Sequence, residues 1–194
     1  MHEDWSDERL MLAYRDGDAK AFESLYRRYR GALHRYLAHQ CGNPAYAEEL
    51  YQDIWIKVVN ARADYEPLAR FPTWLFRIAH HRLLDHYRKH APEAALRYAS
   101  GEAVNDCDTN FIARQPAPPH QTPHALHERH EMAQRIERAL ADLPAAQREA
   151  FLLAEEGGLS LAEIAATTAS SRETCKSRLR YALSKLRHSL QDLL

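Results

Sequence analysis

Leu159-Ser160-Leu161-Ala162-Glu163-Ile164-Ala165-Ala166-Thr167-Thr168-Ala169-Ser170-Ser171-Arg172-Glu173-Thr174-Cys175-Lys176-Ser177-Arg178-Leu179-Arg180-Tyr181 decides the fold. Two S-x-x-E boxes, Ser160 to Glu163 and Ser170 to Glu173, start ten residues apart. In such a box the serine hydroxyl and the glutamate carboxylate satisfy reciprocal orphan amides at a helix start. The spacing leaves two helical turns, a tight turn through Thr167 to Ala169, and a second helix. An apolar stripe at Cys175, Leu179, Leu183, Leu186 and Leu190 runs along that second helix. Its opposite face carries Arg172, Lys176, Ser177, Arg180, Ser184 and Arg187. A short helix, a tight turn and a longer helix with a basic start form a helix-turn-helix, whose second helix enters the major groove. Its cations can reach phosphates or guanine edges there. The competing reading is an amphipathic helix pair whose basic face is only solvated.

Upstream, the helical period dominates. Phe22, Leu25, Tyr29, Leu33, Tyr36 and Leu37 keep spacings of three and four up to Cys41-Gly42-Asn43-Pro44. Asn43 and Pro44 suit an N-cap and a first helical position, opening a helix lined by Ala47, Leu50, Ile54 and Val58. Pro72 opens another, with Leu75, Ile78, Ala79, Leu83 and Tyr87 inward, and a short leading helix from Asp7 to Arg15 stops at Gly17. Residues 91–128 break the pattern: they hold five prolines and five acids against two bases. A connection this long belongs between domains rather than within one. Periodicity resumes at Met132, Ile136, Leu140 and Leu143. The expected fold is therefore all-α: a four-helix domain over 1–90, a flexible acidic linker over 91–128, and a helix-turn-helix domain over 129–194.

Composition narrows the function classes. The 194 residues carry 26 Lys and Arg against 27 Asp and Glu, so a globally basic nucleic-acid binder is excluded. Local basic patches are not: six cations face one acid in 172–188, and Arg77, Arg82, Arg88 and Lys89 face Asp85 in 77–90. The acids gather at 3–8 and 142–163, which leaves anion-seeking patches on a neutral body. No apolar run reaches the roughly 20 residues of a membrane span. The start, MHEDWSDE, has neither a basic flank nor an apolar stretch and is expected not to be a secretory signal. Three widely spaced cysteines, Cys41, Cys107 and Cys175, make no disulfide framework, and a reducing cytoplasm fits best.

At these residues the chain resembles bacterial sigma factors of the extracytoplasmic-function (ECF) group, in the sigma-70 superfamily. The stretch 159–179 is similar to the helix-turn-helix of that group's region four, and Leu143-Pro144-Ala145-Ala146-Gln147-Arg148-Glu149-Ala150-Phe151 to the helix before it. Ala47-Glu48-Glu49-Leu50-Tyr51-Gln52-Asp53-Ile54-Trp55 resembles the region-two helix that docks on core RNA polymerase, and Phe71 to Arg88 the promoter-melting helix. The match covers about 20–90 and 130–190 in the family's order.

The resemblance implies a transcription initiation factor, not an enzyme, that brings core polymerase to a −35 and a −10 promoter element and helps open the duplex. Polymerase docking then falls to Glu48, Glu49, Leu50, Gln52 and Asp53, an acidic face suited to a basic protein and repellent to phosphate. For Trp55 the open alternative is a core position. Contact with the −10 element falls to Tyr65, Trp74, Arg77, His80, His81 and Arg88, aromatics and cations able to hold an unstacked base. At least one of Phe71, Trp74 and Phe76 is expected in the core, and Asp85 is expected to pair with Arg82 or Arg88. Reading of the −35 element falls to Arg172, Glu173, Lys176, Ser177, Arg178, Arg180 and Tyr181, with Glu173 also fit for the cap and Tyr181 for packing.

Three departures matter. Thr168-Ala169-Ser170 replaces the usual turn glycine, His81 stands where the family often has Asn, and Cys175 replaces an aliphatic. Alanine in a left-handed conformation costs roughly 1–2 kcal/mol, so this turn is expected to be strained or differently shaped. Further implied are an anti-sigma partner, a monomeric free state, no membrane insertion, and a linker whose Glu102, Asp106 and Asp108 suit nucleic-acid mimicry in polymerase channels.

His120, His124, His127 and His130, with Glu128 and Glu131, offer imidazoles at spacings of four, three and three. Prolines interrupt them, and the reading is of solvated linker residues with no metal site. No Gly-rich phosphate loop or nucleophile elbow points to a cofactor or a catalytic residue. The rival functions are a polymerase-independent helix-turn-helix regulator acting as a dimer and a His-rich metal-responsive adaptor.

Overall fold

The computed structural model describes residue 2, residues 4–90 and residues 123–191, with side chains from 129 onward in the second segment and up to 89 in the first. The linker acids Glu102, Asp106 and Asp108, Cys107, and the side chains of His120, His124, His127 and Glu128 lie outside the described residues. Eight helices make up the described fold: α1 (Asp7–Arg15), α2 (Ala19–Cys41), α3 (Pro44–Asn60), α4 (Phe71–His90), α5 (Pro123–Ala141), α6 (Ala145–Glu155), α7 (Leu161–Thr167) and α8 (Arg172–Ser189). The all-α expectation holds.

Local chemistry sets the boundaries. Ser6 accepts from the Arg9 amide to start α1, and Gly17 takes a φ of 105° in the turn to α2. Asp18 caps α2 by accepting from the Lys20 and Ala21 amides, and left-handed Gly42 ends it. Asn43 caps α3 with Pro44 at its first position. A long-range cap starts α4: Glu8 accepts from the Phe71 amide at 2.8 Å. A proline also opens α5, at Pro123, so six residues assigned to the linker by sequence are helical. Proline lacks an amide that the first turn would leave unpaired anyway, so it starts this helix rather than interrupting it.

Leu10, Leu25, Leu33, Tyr36, Ile54, Leu75, Phe76 and Leu83 fill the core between α1 and α4. Trp55 packs there too, edge-on to Phe22 and Tyr26. This core does not stop at the end of α4. Leu152, Leu153, Leu159 and Ile164, from α6, α7 and the turn between them, belong to the same apolar cluster. A smaller one, Ala139, Leu140, Leu143, Ala182 and Leu186, ties α5 to α8. The two helical sets on either side of the linker thus pack face to face. The reason lies in α4, which is apolar on two sides: Leu83 and Tyr87 face inward, while Phe76 meets the second set.

Gly157 marks a close approach of the two sets. A Cβ there would lie 2.7 Å from the Leu153 carbonyl and 3.2 Å from Phe76 Cδ2. No helix among the described residues is long and apolar enough to cross a membrane.

Candidate nucleic-acid and polymerase interface

The helix-turn-helix forms largely as its sequence dictates. Ser160 and Glu163 make the first capping box, with both reciprocal bonds present. The second box does not form. Ser171, not Ser170, caps α8 by accepting from the Thr174 amide at 3.0 Å, and Ser170 Oγ turns to Cys175 Sγ, 3.0 Å away. Glu173 is left exposed, with no duty in the cap. Ala169 between the helices adopts a φ of 49°, so the turn keeps the left-handed shape and bears the strain of lacking glycine.

On α8 the inward stripe is Cys175, Ala182 and Leu186, with Leu179 half-buried; Leu183, expected inward, is 41% exposed because Ala182 takes the position beside it. The outward face brings the expected readers together: Arg172, Glu173, Lys176, Arg180 and Tyr181 are exposed, and Ser177 and Arg178 half-exposed. The Arg180 guanidinium stacks 4.9 Å over the Tyr181 ring, which is 51% exposed and takes no part in the core. This is a cationic face with an aromatic edge at the start of a helix held by its back to the core.

The expected −10 contacts divide. Arg77, His81 and Arg88 are exposed on α4 and Trp74 is half-buried, its ring 5.1 Å from Tyr65 and 5.8 Å from Phe71. The His81 pKa is lowered by partial desolvation and by the neighbouring His80 and Arg77, which favours the neutral ring, able to donate and to accept. Tyr65 and His80 depart from the expected surface: they are 3% and 5% exposed. Tyr65 is drawn into the Phe71–Trp74 aromatic cluster, and His80 turns towards α6. Asp85 lies within ion-pair reach of both Arg82 (4.0 Å) and Arg88 (3.6 Å).

On α3, Glu48, Glu49 and Gln52 are exposed, and Gln52 donates to Glu48 at 3.0 Å. Asp53 pairs with Arg82 of α4, which fixes the two helices against each other. Leu50 departs from the expected docking face. It is 3% exposed, on the inward stripe with Ala47 and Ile54. Sequence reasoning missed Ile56 and Val59, which stand exposed one and two turns beyond Gln52 on the same side of the helix. Their signal was present: aliphatic residues that do not fit the inward stripe.

It also missed a line of carboxylates facing the first helical set. Glu149 Oε1 accepts from the Tyr36 hydroxyl (3.1 Å) and lies 2.6 Å from His80 Nδ1, all three side chains being buried. Burial first, and then the Glu149 charge and hydrogen bond, push the Tyr36 phenol well above its ordinary pKa. Arg35 clasps Glu156 with two nitrogens (2.9 and 2.7 Å). Glu163 accepts from Thr73 (2.6 Å), and Arg70 donates to the Gly158 carbonyl (3.2 Å). Burial alone would raise the Glu163 pKa, but the bonds from Thr73 and Ser160 and the Arg70 charge outweigh it and hold the carboxyl at about 2. The seven-residue spacing of Glu149, Glu156 and Glu163 was the available signal.

Among the described residues no three His, Cys, Asp or Glu side chains converge to hold a metal ion, and His130 is engaged with Gln134 at 2.8 Å.

Comparison with known proteins agrees with this geometry. The Sigma-70 region 2 family matches residues 25–93, and the Sigma-70, region 4 family matches residues 133–186. Among curated relatives, the RNA polymerase sigma factor CarQ of Myxococcus xanthus is 33% identical over 183 residues, 94% of this chain and 97% of that protein. The ECF RNA polymerase sigma factor RpoE of Cereibacter sphaeroides is 31% identical over 185 residues, 93% of each. Among solved structures, the sigma factor RpoE in complex with the anti-sigma factor NepR from Bartonella quintana superposes with a TM-score of 0.66 at 25% identity, over 89% of this chain and 98% of that one. CnrH in complex with the cytosolic domain of CnrY, at 22% identity and a TM-score of 0.64, shares the fold over 96% of this chain and 97% of that one. Two family matches in order on one chain, with relatives aligned almost end to end, show that this chain belongs to the ECF group of sigma-70 RNA polymerase sigma factors.

Proposed function

We propose that the chain binds core RNA polymerase and directs it to promoters, with α8 reading the −35 element and α4 contacting and helping to open the −10 element. The observation that carries this is the outward face of α8: exposed cations at the start of a helix whose opposite side is anchored in the core. We assign residues 1–90 to region two, and begin region four at the helix starting at Pro123 rather than at 129. The exposed −10 contacts are Trp74, Arg77, His81 and Arg88. Tyr65 supports Trp74 from beneath. The polymerase face is Glu48, Glu49 and Gln52 with Ile56 and Val59 beside them, an apolar patch rimmed by acids that suits a basic partner.

Nucleotide transfer belongs to the polymerase, so the chain supplies positioning and no catalytic group. A net charge of −1 gives little electrostatic help, so affinity for duplex DNA is weak until polymerase joins. We place the protein in the cytoplasm, monomeric when free, and infer an anti-sigma partner from the company its structural relatives keep.

The test separates the two surfaces. Replacing Glu49 and Gln52 by Ala should abolish co-elution with purified core polymerase while leaving helicity unchanged. Undiminished co-elution of that variant would refute the assigned docking face.

A further inference from the structure

Helix α4 starts where its own neighbours cannot cap it. Arg70, the residue before it, offers donors and no acceptor, and Pro72 has no amide. The Trp74 amide reaches back to the Arg70 carbonyl at 3.1 Å. The Phe71 amide precedes that ladder and takes a carboxylate from another helix instead: Glu8 of α1, 63 residues earlier in the chain, accepts from it at 2.8 Å. A negative charge at this end also meets the favourable pole of the α4 dipole.

Glu8 is itself firmly placed. Leu10 and Met11, on the same helix, are fully buried. Its neighbour Asp7 accepts from Arg28 at 2.6 Å and from the Tyr29 hydroxyl, both on α2. The start of α1 is thus pinned to α2 and passes that position on to the first turn of α4. Trp74 stands in this turn, 5.8 Å from Phe71 and 5.1 Å from Tyr65. Phe71 in turn lies 5.3 Å from Tyr29. The buried Tyr65 hydroxyl makes no hydrogen bond among the described residues, so packing alone seats that ring. What places the indole is therefore the ring cluster and the Phe71 amide, and Glu8 holds the amide. Capturing an unstacked base asks for such fixity, since a stacking platform that wanders loses the contact as the strand forms.

We propose that Glu8 is a positioning residue for promoter opening: from α1 it fixes the first turn of α4, and with it the Trp74 ring that meets an unstacked base of the −10 element. This rests on the reading of α4 as the helix that contacts that element. Glu8 touches no DNA; it acts through Phe71 and Trp74.

The test uses holoenzyme reconstituted from core polymerase and each variant of the whole chain, on a promoter fragment selected by the wild type with 2-aminopurine in its −10 element. Fluorescence reads opening. Glu8→Ala should slow opening about five- to tenfold, the scale of a lost helix cap. Glu8→Asp keeps the charge at the start of α1 but falls a methylene short of the amide, and should slow opening similarly. Glu8→Gln keeps the acceptor and should stay within about twofold of the wild type. Co-elution with core polymerase and affinity for a duplex bearing only the −35 element should not change in any of them. In a Trp74→Ala background, Glu8→Ala should add less than about a twofold loss, because both act through one ring. An equal loss in both backgrounds, or opening at the wild-type rate by Glu8→Ala, would overturn the inference. Losses of the same size in core binding or −35 affinity would make Glu8 a general support of the fold and overturn it too. Trp74→Ala that opens promoters at the wild-type rate would instead refute the reading of α4, and the inference with it.

Discussion

Truncating Lys176 and Arg180 to Ala tests the −35 assignment most sharply, because the structure isolates these side chains from the fold. Both are exposed on the outward face of α8, one turn apart, and the inward stripe of Cys175, Ala182 and Leu186 does not involve them. The folding cost should stay within about 0.5 kcal/mol for Lys176. For Arg180 it is the loss of the stacking on Tyr181, about 0.5–1 kcal/mol at an exposed site. The binding cost is larger. Each released phosphate contact lowers the slope of log affinity against log salt by about 0.9, so the pair should lower it by up to about 1.8. If Arg180 reads a guanine edge, a further 1–3 kcal/mol of discrimination goes with it, roughly 5- to 150-fold. The assay is fluorescence anisotropy of reconstituted holoenzyme on promoter fragments selected by the wild type, repeated from 50 to 300 mM salt. An unchanged slope and unchanged discrimination, with melting temperature and polymerase binding intact, would refute α8 as the reading helix.

Three further outcomes follow from strain, packing and charge. Ala169→Gly should raise stability by about 0.5–1 kcal/mol, since it relieves a left-handed alanine worth 1–2 kcal/mol and gives back part of that in unfolded-state entropy; calorimetry showing destabilisation would mean the turn does not hold its φ of 49°. Gly157→Ala should cost about 1–3 kcal/mol and loosen the packing of the two helical sets, because its Cβ would meet a backbone oxygen and Leu159 at 2.7 Å; a neutral effect in a denaturant melt would contradict the close approach. Acid should weaken the protein in two stages. Burial, the largest influence on His39, holds it at about 4, below its usual 6.5, so the unfolded chain takes up a proton that the folded chain refuses and stability falls as pH drops from 6.5 to 4. Glu163, held at about 2, adds stability above 4.5 that is lost as pH falls from 4.5 towards 2. His39→Gln should flatten the first stage of a pH series of melting temperatures and leave the second, and a series flat in the wild type would refute both.

Much of this architecture was legible because local chemistry decides it. Caps at Asn43 and Ser160, prolines at 44 and 72, and stripes at spacings of three and four each act within a few residues, and sequence displays such information directly. The failures were equally physical. Two adjacent serines compete to cap α8; Ser171 wins because the left-handed Ala169 carries the Ser170 hydroxyl into contact with Cys175. Leu183 left the expected stripe because a helix face is about 100° wide and an edge position is settled by what packs opposite it. Leu50, by contrast, keeps the inward place its spacing gave it and so cannot fill the docking role the resemblance implied. Tyr65 and His80 have the right chemistry for DNA, but their exposure depends on partners far along the chain. Tyr36 and Glu149 are 113 residues apart, and Arg35 and Glu156 are 121 apart. No periodicity encodes such pairings, so the meeting of the two helical sets became visible only in three dimensions. The family resemblance supplied roles; burial decided which residues can fill them.

Run-off transcription with purified core polymerase, this protein and sheared genomic templates bears most directly on promoter-directed initiation. Discrete transcripts should appear only when the protein is added, start downstream of a shared pair of elements, and vanish with Lys176→Ala and Arg180→Ala combined. Core polymerase that is active with another sigma factor but yields no new transcript here, while the protein alone grips an inverted repeat, would contradict it.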